Sequence, residues 1–363
     1  MTESAQPVLS IVVPTYEEAG NLLPLLRKLN TALLGINWEV IFADDNSPDG
    51  THSLAKSLSL GDRRIRCLRR VGRRGLAGAC IDGILSSSAP YVAVMDGDMQ
   101  HDELVLARML RRLQDGEGDV VVGTRYIAGG SAAVFSAQRG FLSRVANAMT
   151  QKLLGVRISD PMSGFFMIRR EAFERFAPQL SHDGFKILLD LLATAKSGLR
   201  VVEEPYEFRS REVGESKFSL RTGLEFLGLV ASRLSGGIVA PRFVPYAFVG
   251  TIGLLVHFAI LRSFLHVVGF ERGQALATFC AMLANFAINN LLTYRDMRLR
   301  GLAALRGAAI FCMIGSTGFI ANIGIATLLY GAQHLWWLAG AAGALIGAVW
   351  NFSMSNRLVW RQK

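Results

Sequence analysis

The last third of the chain contains four long apolar runs, and these limit the available folds more than any other feature. They cover Phe243–Leu261, Gly273–Tyr294, Gly307–Leu335 and Trp336–Asn356. A helix needs about 20 consecutive apolar residues to cross the hydrocarbon core of a bilayer. The sequence therefore predicts an all-α domain of four transmembrane spans over residues 241–363.

The charges beside these runs predict their orientation. Of the 29 acidic residues in the chain, only Glu271 and Asp296 follow residue 240. Basic residues lie in the connection between the second and third runs and after the fourth: Arg295, Arg298, Arg300, Arg306, Arg357, Arg361 and Lys363. Because connections rich in Lys and Arg stay in the cytoplasm, we expect both termini and the N-terminal domain to be cytoplasmic. The first ten residues, MTESAQPVLS, have no secretion-signal pattern, which agrees with this expectation.

Strand-like and helix-like segments alternate in the first part of the chain. The predicted strands are Ser10–Val13, Trp38–Ala43, Ile65–Leu68, Tyr91–Met95 and Val120–Val122, and the predicted helices include Ala19–Leu33, Thr51–Leu58 and Leu76–Ser86. This alternation predicts an α/β domain with a mostly parallel sheet. Ligands of such sheets bind beyond the carboxyl ends of the strands.

Polar clusters follow three of the predicted strands at the point where each strand ends. They read PTYEE from Pro14, DDNS from Asp44 and DGD from Asp96. Turn formation and helix capping explain Asp49 and Thr51 in the second cluster. They do not explain the adjacent carboxylates of Asp44 and Asp45, which are suited to accept hydrogen bonds from a base edge or a ribose hydroxyl.

Asp96 and Asp98 are two residues apart, so both side chains can lie on one face of extended backbone. One divalent cation could be held by this pair together with the oxygens of a diphosphate, with Gln100 or His101 as a further ligand. An ordinary Asp-Gly-Asp turn is the alternative interpretation.

The spacing of the glycines and of the cysteines argues against two kinds of site, a dinucleotide-binding site and a zinc or disulfide site. Gly72, Gly75 and Gly78 are spaced G-x-x-G-x-x-G, which differs from the dinucleotide fingerprint and excludes a Rossmann dehydrogenase. A turn beside a diphosphate, flanked by Arg73 and Arg74, and a plain helix entry both remain open. The four cysteines have no C-x-x-C spacing, so neither zinc nor disulfides are expected.

Seven short motifs in order resemble glycosyltransferase family 2, and within it the dolichyl or polyprenyl phosphate mannose synthases. They are PTYEEAGNL, DDNSPDGT, DGDMQH, GTRY, SDPMSGFF, GFK and the R-x-x-G-x-S-K of residues 211–217. The match covers about residues 8–218. It implies a GT-A-like nucleotide-sugar transferase domain over residues 1–218, and it favours the metal interpretation of the acidic pair.

The resemblance also implies roles for residues of the donor site. The nucleotide would be held by Pro14, Tyr16, Glu18, Asp44, Asp45 and Asp96. Mg²⁺ or Mn²⁺ would be held by Asp96, Asp98 and Gln100, and its charge would stabilise the departing nucleoside diphosphate.

On the acceptor side, the resemblance implies that Arg125, Arg139 and Ser143 bind the lipid phosphate, for which the planar guanidinium fork is well suited. A mobile basic segment that contains Arg209, Arg211, Ser216 and Lys217 would close over the diphosphate; a juxtamembrane loop that binds anionic lipid is the alternative. Since a phosphate monoester is already largely ionised, Asp98 need not act as a general base. We expect Asp190 to pair with Lys186 at i, i+4.

Residues 219–240 have apolar side chains at three- and four-residue spacing, which predicts an amphipathic helix lying on the membrane; a plain linker is the alternative. The membrane third contains an internal repeat, because Gly253 and Asn285 recur as Gly318 and Asn351. It resembles the GtrA-like membrane domain, with two parallel two-helix repeats. We expect Asn285 and Asn351 to form hydrogen bonds across the bundle.

The sequence thus predicts a polyprenyl phosphate β-mannosyltransferase that uses GDP-mannose, inverts the anomeric centre and binds no nucleic acid. Two alternatives remain: a UDP-glucose-dependent polyprenyl phosphate glucosyltransferase, and a transporter or flippase of lipid-linked sugar with a vestigial transferase domain. A processive polysaccharide synthase is disfavoured because its Q-x-x-R-W signature is missing.

Overall fold

The structure, a computed structural model, describes residues 6–72, 74–130, 137–182, 184, 186–209, 220–333 and 336–360. The chain forms two compact units. The N-terminal unit contains Met1–Ser219 and Leu229–Pro241, and the C-terminal unit contains Leu220–Gly228 and Arg242–Lys363.

Seven strands form the sheet of the N-terminal unit. They are β1 (Leu9–Thr15), β2 (Trp38–Asp44), β3 (Ile65–Arg69), β4 (Tyr91–Val94), β5 (Val120–Thr124), β6 (Phe166–Arg169) and β7 (Val201–Pro205). Their order is β3-β2-β1-β4-β6-β5-β7. Every pairing is parallel except those of β6, which runs antiparallel to both β4 and β5. The predicted α/β class with a mostly parallel sheet is confirmed.

Helices connect and cover these strands. In the N-terminal unit they are α1 (Leu22–Ala32), α2 (Thr51–Gly61), α3 (Leu76–Leu85), α4 (Val105–Gln114), α5 (Ala137–Leu154), α6 (Arg170–Glu174) and α7 (Ile187–Ala195). The buried leucines of α1 recur at the three- and four-residue spacing that keeps one helix face toward the sheet, namely Leu22, Leu25, Leu26 and Leu29. They pack with alternate β1 residues, Leu9, Ile11 and Val13, in one hydrophobic core.

Strand β6 was not among the predicted strands. Its insertion beside β4 brings the preceding loop next to the carboxyl end of β4, where a Cβ on Gly164 would lie 3.3 Å from Asp96 Oδ2. Within that loop, the Ser163 hydroxyl donates a 2.7 Å hydrogen bond to the Gly123 carbonyl at the end of β5. This antiparallel strand therefore builds one wall of the region that follows β4.

Helix α8 (Leu220–Leu234) forms where the periodicity predicted a helix. Leu220, Leu227 and Leu234 of the predicted apolar face are exposed, whereas Leu224 is buried. Near the end of α8, Arg233 Nε donates a 2.5 Å hydrogen bond to Asp190 Oδ1.

The expected pairing of Asp190 with Lys186 is wrong. Asp190 is buried and accepts hydrogen bonds from Arg233 and from Ser181 N–H, whereas Lys186 Nζ donates to the Met162 carbonyl. The i, i+4 spacing predicts that Lys186 and Asp190 lie on one helix face. The Asp190 side chain instead points into the protein, where it contacts Arg233, which is 43 residues away in the chain. Asp190 thus has a structural role.

The C-terminal unit contains four helices, α9 (Phe243–Val268), α10 (Phe270–Leu291), α11 (Leu302–Gln333) and α12 (Trp336–Leu358). Helix α9 packs along α10, and α11 packs along α12. Among the described residues, one segment, Phe243–Phe264, is long and apolar enough to cross a membrane, and Leu302–Gly318 is a shorter apolar stretch.

The repeated glycine and asparagine residues make the same contact in both halves of this unit. A Cβ on Gly253 would lie 2.1 Å from Asn285 Oδ1, and a Cβ on Gly318 would lie 2.1 Å from Asn351 Oδ1. Neither amide oxygen accepts a hydrogen bond from any described residue, so these oxygens do not form the expected hydrogen bonds across the bundle. Instead, each asparagine packs against the backbone of a neighbouring helix, which only glycine exposes so closely.

Candidate active site

A cleft of about 250 Å³ opens at the carboxyl ends of β1 and β4 and beside the end of β2. Its lining residues come from all three polar clusters and from the start of α3: Pro14, Thr15, Tyr16, Glu18, Asp45, Leu76, Ala79, Asp96, Gly97 and Asp98. Six of these were predicted donor-site residues, and the structure brings them together. Thr15, Leu76, Ala79 and Gly97 were not predicted individually, because as single residues they carry no distinctive chemistry.

A non-glycine residue with positive φ lies in each of the first two polar clusters and directly after the third. The angles are 62° at Glu17, 57° at Asn46 and 60° at Met99. This left-handed conformation is uncommon for such residues and concentrates at functional sites, where surrounding contacts maintain it. In the first two clusters, Ser47 Oγ supplies such a contact by accepting a 3.0 Å hydrogen bond from Glu17 N–H.

The acidic pair lies at the turn that follows β4. Asp98 is buried, and its Oδ1 accepts a hydrogen bond from Gln100 N–H, while the Asp96 side chain is 38% exposed. Gln100 Nε2 donates a 3.2 Å hydrogen bond to the Arg209 carbonyl, and this bond does not use the amide oxygen Oε1. No group of three or more His, Cys, Asp or Glu side chains among the described residues could hold a metal. Two carboxylates and one amide oxygen suit a cation that takes its other ligands from phosphate and water.

His101 lies directly behind this pair. Its Nδ1 accepts a 3.1 Å hydrogen bond from Asp96 N–H, and its Nε2 is 3.7 Å from Asp96 Oδ2. Burial lowers the pKa of His101 to about 4, so the ring is neutral near pH 7 and carries its proton on Nε2. The ring stacks on Phe165 at 5.0 Å. His101 therefore orients Asp96 and does not line the cleft.

The adjacent carboxylates Asp44 and Asp45 have different environments. Asp44 is fully buried and accepts hydrogen bonds from Ser47 N–H, Ser47 Oγ and Thr15 Oγ1. These contacts build the loop after β2, and Asp44 does not line the cleft. Because successive residues of a strand point to opposite sides, Asp45 alone reaches the cleft.

Asp45 is held by two groups that the sequence did not connect with it. Arg70 Nη1 donates to Asp45 Oδ1, and Gly75 N–H donates a 2.7 Å hydrogen bond to Oδ2. Burial raises the pKa of Asp45, although the Gly75 hydrogen bond and the Arg70 charge oppose this rise. At the rim of the cleft, the Arg74 guanidinium lies 4.9 Å from the centre of the Tyr16 ring.

Arg125 follows β5 and is held by a buried carboxylate. Its Nε and Nη2 donate hydrogen bonds of 2.7 and 2.9 Å to Asp160, which has no exposed surface. Burial alone would lower the pKa of Arg125, but the hydrogen bonds and charge of Asp160 raise it, so the guanidinium is always charged. Asp160 belongs to the SDPMSGFF motif, and sequence reasoning did not assign it this function.

Four predicted site residues lie outside the described side chains. Arg139 and Ser143 belong to α5, but their side chains are not described, and Arg211 and Lys217 lie in the undescribed range 210–219. Immediately before that range, Arg209 donates 2.7 Å hydrogen bonds to Asp102 and Glu103. The segment therefore begins next to the turn that carries the acidic pair.

Residues 10–176 match the family model described as glycosyl transferase family 2, and residues 245–360 match the model described as GtrA/DPMS, transmembrane domain. A dolichol-phosphate mannosyltransferase of Pyrococcus furiosus is 32% identical over 348 residues, covering 90% of this chain and 97% of that protein. A polyprenol monophosphomannose synthase of Mycolicibacterium smegmatis is 34% identical over 215 residues, covering 58% of this chain and 80% of that protein.

Among solved structures, the glucosyl-3-phosphoglycerate synthase of Mycobacterium tuberculosis in complex with Mn²⁺, UDP-glucose and phosphoglyceric acid superposes with a TM-score of 0.51. The identity is 18%, and the match covers 63% of this chain and 80% of that one. At this identity the likeness shows a shared fold.

Proposed function

Because this chain belongs to glycosyl transferase family 2 and, within it, to the dolichol-phosphate mannosyltransferases, we propose that it transfers mannose from GDP-mannose to a polyprenyl phosphate. The observation that carries this proposal is the cleft itself. Pro14, Tyr16, Glu18 and Asp45 line it together with the acidic pair, so a nucleotide and its diphosphate can be bound in one cleft.

A divalent cation, Mg²⁺ or Mn²⁺, would be held by Asp96, Asp98 and Gln100. These hard oxygen ligands and their small number suit a cation that completes its coordination with diphosphate oxygens. When bound, it would stabilise the negative charge that develops on the departing nucleoside diphosphate. His101 would keep Asp96 in the orientation that this requires, through its hydrogen bond with Asp96 N–H.

The acceptor phosphate is its own nucleophile. A phosphate monoester has a second pKa near 6, so it is largely dianionic near pH 7 and needs no protein base. Its attack on the anomeric carbon of an α-linked nucleotide sugar, opposite the leaving diphosphate, gives a β-linked product. The role of the protein in this step is to position the two substrates and to exclude water.

We infer that Arg125, Arg139 and Ser143 bind the acceptor phosphate. What supports this for Arg125 is the bidentate contact with Asp160, which fixes the plane of a guanidinium that remains charged. Arg211 and Lys217 would close over the diphosphate of the donor, and the hydrogen bonds between Arg209 and Gln100 attach their segment to the metal-binding turn.

The C-terminal unit is a membrane domain, and we propose that it crosses the bilayer four times. Helices α9 to α12 contain 26, 22, 32 and 23 residues, each sufficient for one crossing of about 20 residues. The basic residues between α10 and α11 and after α12 favour a cytoplasmic catalytic domain. The same proposal divides the chain into a catalytic domain up to residue 218, a segment of residues 219–240 whose helix α8 lies on the membrane, and a membrane domain from residue 241.

The test uses the purified full chain in detergent with polyprenyl phosphate, Mn²⁺ or Mg²⁺, and radiolabelled GDP-mannose or UDP-glucose in parallel. We expect label to enter the organic phase from GDP-mannose, and we expect EDTA to stop this transfer. Transfer from UDP-glucose alone would contradict the proposed donor. Transfer that continues in EDTA would contradict the proposed metal.

A further inference from the structure

Arg70 is a buried arginine that contacts Asp45, one of the residues that line the cleft. Arg70 itself does not line the cleft. It follows β3 directly, and its N–H donates a 2.8 Å hydrogen bond to the Asp44 carbonyl at the end of β2. Its side chain, 5% exposed, contacts two carboxylates, Asp45 through Nη1 and Asp82 of α3 through Nε at 2.8 Å. Arg70 thus connects the second polar cluster to the helix that lines the cleft.

The ion pair between Arg70 and Asp45 also holds the backbone N–H and the backbone carbonyl of Gly75. Gly75 N–H donates to Asp45 Oδ2 at 2.7 Å, and the Gly75 carbonyl accepts a 3.3 Å hydrogen bond from Arg70 Nη1. Gly75 has a φ of +142°, which side-chain-bearing residues rarely adopt. Two residues that line the cleft come after this glycine: Leu76 follows it directly, and Ala79 lies one helical turn later, where its N–H donates a 3.0 Å hydrogen bond to the Gly75 carbonyl. The position of that wall therefore depends on the contacts of Gly75.

At position 78 of α3, where the Arg70 side chain crosses the helix, a side chain larger than that of glycine does not fit. A Cβ on Gly78 would lie 2.5 Å from Arg70 Nη2 and 3.2 Å from the His182 carbonyl. The planar guanidinium therefore lies in a slot between the helix backbone and Asp45. A lysine has a single ammonium group and cannot make the same set of contacts.

We propose that Arg70 is a positioning residue for the nucleotide part of the donor, acting through Asp45 and the turn at Gly75. The inference rests on the proposed function of the cleft. Without Arg70, the Asp45 carboxylate and the first turn of α3 lose the side chain that contacts both of them. The donor must then order these groups when it binds, and this ordering lowers its affinity. The acceptor phosphate site has no such dependence, because Arg125 is held by Asp160.

Arg70→Lys tests this, and Arg66→Lys is its matched control. Arg66 lies on β3, the strand that directly precedes Arg70, and it also pairs with a carboxylate, Glu39, and a carbonyl, that of Ser86. None of these three residues lines the cleft. For Arg70→Lys we expect the KM for GDP-mannose and the Kd for GDP to rise about tenfold, with kcat and the KM for polyprenyl phosphate changed by less than about twofold. For Arg66→Lys we expect all four quantities to stay within about twofold of the wild type.

The inference is overturned if folded Arg70→Lys protein keeps the wild-type donor KM, if its lipid KM rises instead, or if Arg66→Lys raises the donor KM equally. Asp82→Ala provides a second test that does not depend on how Arg70→Lys folds, since alanine is favourable within α3. It removes the contact to Arg70 Nε, and we expect the Kd for GDP to rise about threefold. An unchanged Kd in Asp82→Ala would also refute the inference.

Failure of the proposed function gives a different result. In that case wild-type protein would not bind GDP, and the donor site itself would be wrong. Wild-type binding of GDP together with unchanged binding in either variant would overturn only the positioning role of Arg70.

Discussion

Replacing Gly253 by alanine should destabilise the C-terminal unit, because no space exists for the added methyl group. An ideal Cβ would lie 2.1 Å from Asn285 Oδ1 and 2.5 Å from Asn285 Cγ. Since Cγ is included, rotating the amide group cannot remove the overlap. Either the asparagine must leave its rotamer or the two helices must separate. Overpacking of this kind costs about 1–3 kcal/mol.

The structure supplies a matched control on the same helix. Gly250, one turn earlier, has no atom within 4 Å of its ideal Cβ, so Gly250→Ala should be neutral or stabilising. The double variant Gly253→Ala with Asn285→Ala removes the overlapping amide. We expect it to recover most of the lost stability, which corresponds to a coupling of about 1–2 kcal/mol between the two sites.

Thermal unfolding of the full chain in detergent measures these effects, and GDP binding before heating shows whether the N-terminal unit is intact. Gly318→Ala should reproduce the loss, because its Cβ would lie 2.1 Å from Asn351 Oδ1. The reasoning is refuted if Gly253→Ala protein unfolds at the same temperature as Gly250→Ala protein, or if the double variant is less stable than Gly253→Ala alone.

Three further predictions concern residues of the N-terminal unit, and one of them uses a control residue of the C-terminal unit. Asp98→Asn should reduce mannose transfer by at least about a hundredfold without a change in melting temperature, because the predicted cation loses a carboxylate ligand; near-normal turnover would remove the metal from the mechanism. Arg233→Ala should lower the free energy of unfolding by about 3 kcal/mol, because buried Asp190 loses its cation, whereas Arg221→Ala, which removes an i, i+4 pair, should cost only about 0.5 kcal/mol. Arg139→Ala should raise the KM for polyprenyl phosphate more than that for GDP-mannose, and an unchanged lipid KM would show that the acceptor site lies elsewhere.

Much of the fold and of the candidate site could be predicted from local patterns. Strands β1 to β5 lie within two residues of the predicted bounds at each end, because their apolar runs are short and end in turn-forming polar clusters. Those clusters meet at one edge of the sheet because the strands that precede them are parallel. The repeat of Gly253 and Asn285 was also visible in the sequence, although the kind of contact was not.

Contacts between residues far apart in the chain were not predictable in this way. Asp160 is 35 residues from Arg125, and Arg233 is 43 residues from Asp190. Helical spacing instead suggested Lys186 as the partner of Asp190, because a single sequence reports neighbours along a helix and not which side chain is turned inward. The antiparallel strand β6 was missed for a related reason: its four residues have no length or pattern that distinguishes them from a buried loop.

The sequence by itself determined the order of the elements, the carboxylates at the strand ends and the division between a charged and an apolar part, because each depends on residues close together in the chain. Tertiary structure decided which of these carboxylates can meet a ligand. Asp44 and Asp45 are equivalent in the sequence, but the pleat of the strand turns Asp44 into the loop and Asp45 toward the cleft. The sheet pairing then brings Arg70 to Asp45 from 25 residues away, and that packing alone determines how the carboxylate is held.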